Sequence, residues 1–337
     1  MQEAHSIFKR LYSEEPYVDR FLSDSAGAVD VIIPIVHSNE LWRKNLISIY
    51  REIPVNRLLL GDGGCIDNSL DVAAKFPRVS IFDHKEYKTL GYSIRKLVEQ
   101  VETDWFLYLH SDVYIPAGWF DGMSAHCGQY DWFECEQQMV YLVEYPNKFA
   151  GNPRGFGFGG TQMGRKKAFD AMLHEIDDDF LYRNEDIIIR TLLQKKGFAW
   201  GFVDNLFHYH QNVYKNSPRA RKITNFSYDV EVSPEEDVRT NIMQIKGYIK
   251  YLAPTELLAR DVRDFYLPKL LYKEGMDYSA FLQWVKEINP AWLPHLPSEH
   301  VVESLRPGKI SLRKIAREIL RSLQVLIDRA LFSLSRG

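Results

Sequence analysis

Continuous apolar runs and helical stripes alternate along the first third of the chain, and that alternation predicts the fold class. Val29–Val36 reads VDVIIPIV, a β-branched run suited to a strand buried on both faces. Leu41, Trp42, Asn45, Leu46, Ile49 and Tyr50 then recur at helical spacing. Val55–Leu60 is a second strand, ending in Gly61-Asp62-Gly63-Gly64, and Asp67-Asn68 cap a helix over Ser69–Phe76. A strand over Val79–Phe82, a helix over Tyr87–Val101 and a strand over Trp105–Leu109 continue the series. Strand and helix alternating through short connections predict an α/β fold, a parallel sheet with right-handed crossovers.

Parallel strands bring their C-terminal ends to one sheet edge, where open α/β sheets bind ligands. Two of these strands end in acidic turns, Gly61-Asp62 and His110-Ser111-Asp112. Either Asp alone is more readily a turn or cap residue. Together they form a candidate site for a nucleotide and a metal ion.

The flanks differ in pattern. Residues 1–28 read as a short helical extension, with Tyr17, Val18, Phe21 and Leu22 at helical spacing, expected to pack on the main domain. Residues 212–300 turn helical, with Asp237–Leu252 and Thr255–Tyr266 as the main helices and prolines at 290, 294 and 297. Near the end, Leu312–Leu334 carries one apolar stripe, and seven basic against two acidic residues follow from Lys309 onward. Such a basic amphipathic helix suits an anionic membrane surface; docking on its own domain or on a second subunit is an equal alternative. The expected divisions are 1–28, a core domain 29–215, a helical acceptor-side subdomain 216–300 and the C-terminal helix 301–337.

Composition narrows the class. In 337 residues, 45% are hydrophobic and 26% charged, as in ordinary globular proteins. A net charge of -3 argues against a generic nucleic-acid binder. Three cysteines without metal-ligand spacing suit a reducing cytosol. The charged N-terminus lacks the apolar core of a signal peptide, and no apolar run is long enough to span a bilayer. A cytoplasmic protein, peripheral on the inner membrane face if its C-terminal helix binds lipid, is the expectation.

Read in order, the motifs resemble the family 2 glycosyltransferases over about residues 29–215. The family's first strand, roughly V-S-V-I-I-P-x-Y-N, is here Val29-Asp30-Val31-Ile32-Ile33-Pro34-Ile35-Val36-His37. Its D-D-G-S-x-D is here Gly61-Asp62-Gly63-Gly64-Cys65-Ile66-Asp67, and its D-x-D is His110-Ser111-Asp112. Gly91-Tyr92-Ser93-Ile94-Arg95-Lys96 loosely matches G-x-S-x-A-R-N, and Asn184-Glu185-Asp186 matches the x-E-D at a helix start. The resemblance implies the GT-A fold: a Rossmann-like, mostly parallel sheet flanked by helices, here with a C-terminal helical extension. It implies a nucleotide-sugar donor, UDP first among candidates, held by Pro34, Val36, Asp62, Arg95, His110 and Ser111. It implies Mn²⁺ or Mg²⁺ on Asp112 and a late histidine. His210 is the first candidate and His208 the second, expected on opposite sides of an extended segment. Asp186 is the implied general base and Glu185 its neighbour, for an inverting transfer to a glycan or lipid-linked saccharide. Each of these acids is equally suited to a plain helix N-terminus.

Three departures stand out: His110 for the first Asp of D-x-D, Gly61 for the first Asp of the D-D pair, and Val36-His37 for Tyr-Asn. The Gly-rich stretch 155–160 is no dinucleotide fingerprint; it suits an acceptor-pocket border or close packing. Arg154 and Arg165 are candidate anion contacts or surface residues, Trp132 and Phe133 sugar platforms or core, and residues 216–222 a basic loop over the diphosphate or a solvated one. A sugar-nucleotide pyrophosphorylase would want a Gly-rich basic loop after the first strand, and His37-Ser38-Asn39-Glu40 is neither. A catalytically inactive sugar-nucleotide-binding scaffold is the alternative from another class. A homo-oligomer remains open.

Overall fold

The computed structural model describes residues 16–36, 38, 41–65, 67–87, 89–143, 159–177, 185–214, 245–267, 271 and 277–304. Outside them lie His37, Asn39, Glu40, Arg154, residues 155–158, Asn184, residues 216–222 and the stripe Leu312–Leu334. The chain divides into two compact units, 1–247 and 248–337.

The first unit is built on strands β1 (Val29–Ile35), β2 (Val55–Asp62), β3 (Val79–Asp83), β4 (Trp105–Leu109), β5 (Val113–Tyr114), β6 (Trp132–Val143), β7 (Thr161–Arg165) and β8 (Trp200–Tyr214). Its helices are α1 (Arg20–Ser23), α2 (Trp42–Glu52), α3 (Ser69–Ala73), α4 (Leu90–Val98), α5 (Trp119–Ser124), α6 (Lys166–Asp170) and α7 (Glu185–Lys195). The eight strands form one sheet in the order β3-β2-β1-β4-β7-β6-β8-β5. β1 to β4 are parallel, as their alternation with helices predicts; β7 runs antiparallel to both β4 and β6. β8 returns parallel to β6, and short β5 closes the edge antiparallel to β8. This mixed, mostly parallel sheet flanked by helices is the architecture implied by the resemblance.

The strands hold because their side chains are removed from water. Val31, Ile33, Leu58, Leu60, Leu107 and Leu109 are buried, and Trp42, Leu46, Ile49 and Tyr50 of α2 pack on the same cluster. Trp132 and Phe133 are buried core residues, so neither presents a ring to a sugar. Arg165 pairs with Asp131 at 3.2 Å. Tyr17 packs on Tyr50 and Phe76, and Asp19 pairs with Arg78 at 2.9 Å, which ties the residues before β1 to this unit. α4 starts at Leu90 rather than Tyr87, because the Thr89 hydroxyl caps it by accepting from Tyr92 N–H at 3.3 Å.

One acid holds the sheet from the end opposite the β-strand C-termini. Asp30 is wholly buried and accepts from Asn56 Nδ2, Arg57 and Glu102 N–H, each at 2.8 Å. Charge-assisted bonds of this kind contribute about 1.5–3 kcal/mol each. Asp30→Asn is therefore expected to lower unfolding stability by about 2 kcal/mol, allowing for the partly exposed Arg57. Denaturant unfolding checks it; an unchanged midpoint would show that the pairing adds nothing.

In the second unit, Glu256–Asp261, Val262–Tyr266, Tyr278–Ile288 and Glu299–Ser304 are helical. Trp292 Nε1 donates to the Leu252 carbonyl at 2.9 Å and Tyr278 OH to that of Pro297 at 2.6 Å. Among the described residues, no helix is long and apolar enough to cross a membrane.

Candidate metal and acid site

The C-terminal ends of β1, β2 and β4 face one sheet edge, and β7 and β8 enter it from the other half of the sheet. Leu109 pairs with Thr161, and His110 N–H donates to the Gly160 carbonyl at 2.9 Å, so the turn after β4 lies against the start of β7. Val113 of β5 pairs with His210 of β8. That register places Asp112 beside His210, with Oδ1 2.9 Å from Nε2. The turn is pinned from below: the Ser111 carbonyl accepts from Asn45 Nδ2 at 2.9 Å and from Ser38 Oγ at 3.2 Å.

His110, Asp112 and His210 each offer one ligand atom, all within 4.8 Å of one another. Two imidazoles and a carboxylate suit a Mn²⁺-like cation better than Mg²⁺, which prefers oxygen alone. Burial raises the Asp112 carboxyl, but the neighbouring imidazoles of His210 and His110 outweigh it and hold the group below its ordinary range. The donor set therefore carries an ionised carboxylate, as a cation requires.

His208 does not join this set. Positions two apart in a strand share a face, so the expectation of opposite sides fails: the two rings lie 6.1 Å apart. His208 is wholly buried, with Nδ1 2.9 Å from Thr161 Oγ1, and burial pushes its pKa well down.

Acids approach from α7. Glu185 Oε1 lies 3.4 Å from His110 Nε2 and accepts from the buried Tyr108 hydroxyl at 3.1 Å. Burial lowers the His110 pKa, but the Glu185 contact outweighs it and the net direction is upward. Asp186 is pushed up to about 7, first by burial and then by the charges of Glu185 and Glu134. Glu134, buried on β6, accepts from Gly159 N–H at 3.0 Å and is itself raised by burial. Gly159 has φ +99, and a Cβ there would lie 3.2 Å from Asp186 Oδ2. Tyr108 and Glu134 escape sequence reasoning. Tyr108 reads as one more buried strand residue, whereas Glu134, a carboxylate inside the run Trp132-Phe133-Glu134-Cys135, is a signal that could have been used.

The expected nucleotide contacts divide. Pro34 and Val36 stand at the end of β1, and Pro34 pairs with Gly61. Asp62 is buried; Oδ1 accepts from Gly64 and Cys65 N–H at 3.0 and 2.6 Å, and Oδ2 lies 3.3 Å from Lys85 Nζ. Burial opposes, yet these donors hold its carboxyl below the ordinary value. Arg95 is turned to Glu99 at 3.1 Å and to the Ile176 carbonyl at 2.5 Å. The glycine at 61 has a steric cause: a Cβ there would lie 2.6 Å from His84 Nδ1 and 2.8 Å from Ser93 Oγ, which bond each other at 2.7 Å.

No protein-family model matches this chain, and no curated protein sequence matches it. Among solved structures, it is similar to S. aureus TarS 1–349 in complex with UDP-GlcNAc, at 14% identity and TM-score 0.47, over 83% of this chain and 84% of that one. It is similar to GalNAc-T7 with UDP, GalNAc and Mn²⁺ at 11% identity and TM-score 0.48, over 88% and 59%. A third is the bifunctional IspDF from Campylobacter jejuni, at 13% identity and TM-score 0.36, over 52% and 49%. The chain thus spans about half the length of IspDF and under two thirds of GalNAc-T7.

Proposed function

We propose that this chain is a metal-dependent, inverting glycosyltransferase of the family 2 type, moving a sugar from a UDP-sugar to a hydroxyl of a glycan or lipid-linked saccharide. One observation carries the reading: Glu185 Oε1 lies 3.4 Å from His110, joining the acidic start of α7 to the His110–Asp112–His210 donor set. A base and a cation site on the same sheet edge are what transfer from a nucleotide sugar requires.

His110, Asp112 and His210 would hold the cation. When bound there, a divalent ion would supply a Lewis acid to offset charge on the leaving diphosphate. Asp186 accepts the proton of the acceptor hydroxyl as its oxygen bonds the anomeric carbon, while the bond from that carbon to the diphosphate breaks on the opposite face. Inversion follows from that geometry. Glu185, held by Tyr108 and His110, orients the acceptor or the base. Asp62 and the end of β1 are the proposed nucleoside contacts, and the Ser111 turn would lie beside the diphosphate.

The donor set predicts a metal preference: Mn²⁺ is expected to bind more tightly than Mg²⁺, read by calorimetric titration of each, and the reverse order would argue against imidazole ligation. The function is tested by UDP release from a panel of UDP-sugars with Mn²⁺ and an acceptor library. Release from one donor that stops on chelation supports the reading. Binding of donor and metal without any release would favour the inactive scaffold, and the residues 312–334 are tested separately by sedimentation with anionic vesicles.

A further inference from the structure

Three polar side chains cross the sheet in one row. Tyr108 of β4 pairs with Gln162 of β7, and Gln162 pairs with Glu134 of β6. Residues directly opposite in neighbouring strands share a face, so the three side chains stand together. Tyr108 and Gln162 are wholly buried, and Glu134 is 3% exposed. Polar groups taken out of water in this way are costly unless they are engaged. At one end of the row the Tyr108 hydroxyl donates to Glu185 Oε1 at 3.1 Å. At the other end Glu134 Oε2 accepts from Gly159 N–H at 3.0 Å.

Gly159 links that second end to Asp186. A Cβ built on it would lie 3.2 Å from Asp186 Oδ2 and 3.9 Å from Gln162 Nε2, so its backbone lies directly against the proposed base. Its φ of +99 is one that a residue with a side chain rarely adopts. The next residue is fixed from the other side, because the Gly160 carbonyl accepts from His110 N–H at 2.9 Å. The turn into β7 is thus held by Glu134 next to the base and by His110 next to the proposed cation.

We infer that Glu134 is a positioning residue for Asp186, acting through Gly159: its carboxyl group fixes the glycine backbone against which the base rests. Tyr108 supports Glu185 directly, so one polar row serves both acids at the start of α7. The inference rests on the reading of Asp186 as the general base and deepens it.

The test is transfer by the full chain at saturating Mn²⁺, with the donor identified by UDP release and its acceptor. It is run above the Asp186 pKa of about 7, so that the base is ionised in every variant that keeps it. Glu134→Leu is expected to lower kcat by about 10–100-fold, the scale of a misplaced catalytic group, with donor KM and Mn²⁺ affinity near wild type. Glu134→Gln, whose amide oxygen still accepts from Gly159 N–H, is expected to keep most of the rate. In an Asp186→Asn background, Glu134→Leu is expected to cost little more, since residues that act as a unit are not additive. The same fold-loss in both backgrounds, or a wild-type kcat in Glu134→Leu, overturns the positioning role alone. If melting shows that Glu134→Leu does not fold, Gly159→Ala tests the contact from its other side. A comparable loss that disappears beside Asp186→Asn supports the role, and a wild-type kcat overturns it. Wild type without transfer, or Asp186→Asn as active as wild type, removes the base itself, and the role of Glu134 falls with it.

Discussion

Asp186→Asn is expected to lower sugar transfer by about 10²–10⁴-fold, the usual contribution of a general base, with donor and Mn²⁺ binding near wild type. An ordinary aspartate is a weak base toward a hydroxyl. Here burial and the charges of Glu185 and Glu134 push the Asp186 carboxyl up to about 7, which suits proton abstraction near neutrality. The rate is therefore expected to rise with pH through about 7 in wild type. The same shift has a consequence for stability. A group whose folded pKa lies above its unfolded value favours the folded state at low pH, and that advantage is lost as pH rises through the folded pKa. Wild type thus loses stability between roughly pH 4 and pH 7 from this group. The melting temperature of Asp186→Asn is expected to gain on wild type across that window and to hold its lead above it. A variant that transfers sugar at the wild-type rate would remove Asp186 from the chemistry.

Asp112→Ala has the second large expected effect. Mn²⁺ affinity should fall by more than ~100-fold, beyond the ~10–100-fold typical of losing a supporting residue, and transfer should fall with it. Asp112 is the one carboxylate in a set otherwise made of two imidazoles. Its removal takes away the anionic donor and also the 2.9 Å contact that faces His210 Nε2. Titration of free Mn²⁺ by its paramagnetic signal reads the change directly. An Ala variant with wild-type Mn²⁺ affinity would place the cation elsewhere.

The parallel half of the sheet was legible because its strands are continuous apolar runs. Trp105–Leu109 has the predicted bounds, and β1 and β2 differ from theirs by only one or two residues. Helix ends were less legible, since Thr89 decides the start of α4 by a side-chain cap rather than by periodicity. The mixed half of the sheet was not legible: β6 and β8 pair in parallel over long, mixed sequences, and a register shift at Cys135/Glu136 interrupts any simple pattern. In the site, the residue types and their order were visible, but their geometry was not. Only the pairing of Val113 with His210 shows why His210 and not His208 meets Asp112. Tyr108 depends on a contact with Glu185, far away in sequence, which no local pattern records, whereas Glu134 is marked locally as a carboxylate in an apolar run.

The central claim, that the edge formed by β1, β2, β4 and β8 binds a nucleotide through a cation, is tested most directly by thermal melting of wild type with a panel of nucleoside diphosphates and sugar nucleotides, each with and without Mn²⁺. A ligand that binds only the folded state stabilises it by about 2.7 kcal/mol at a hundred times its Kd. The expected result is a rise with UDP or one UDP-sugar that requires Mn²⁺ and vanishes in Asp112→Ala. No rise with any nucleotide in the presence of Mn²⁺ would contradict the claim.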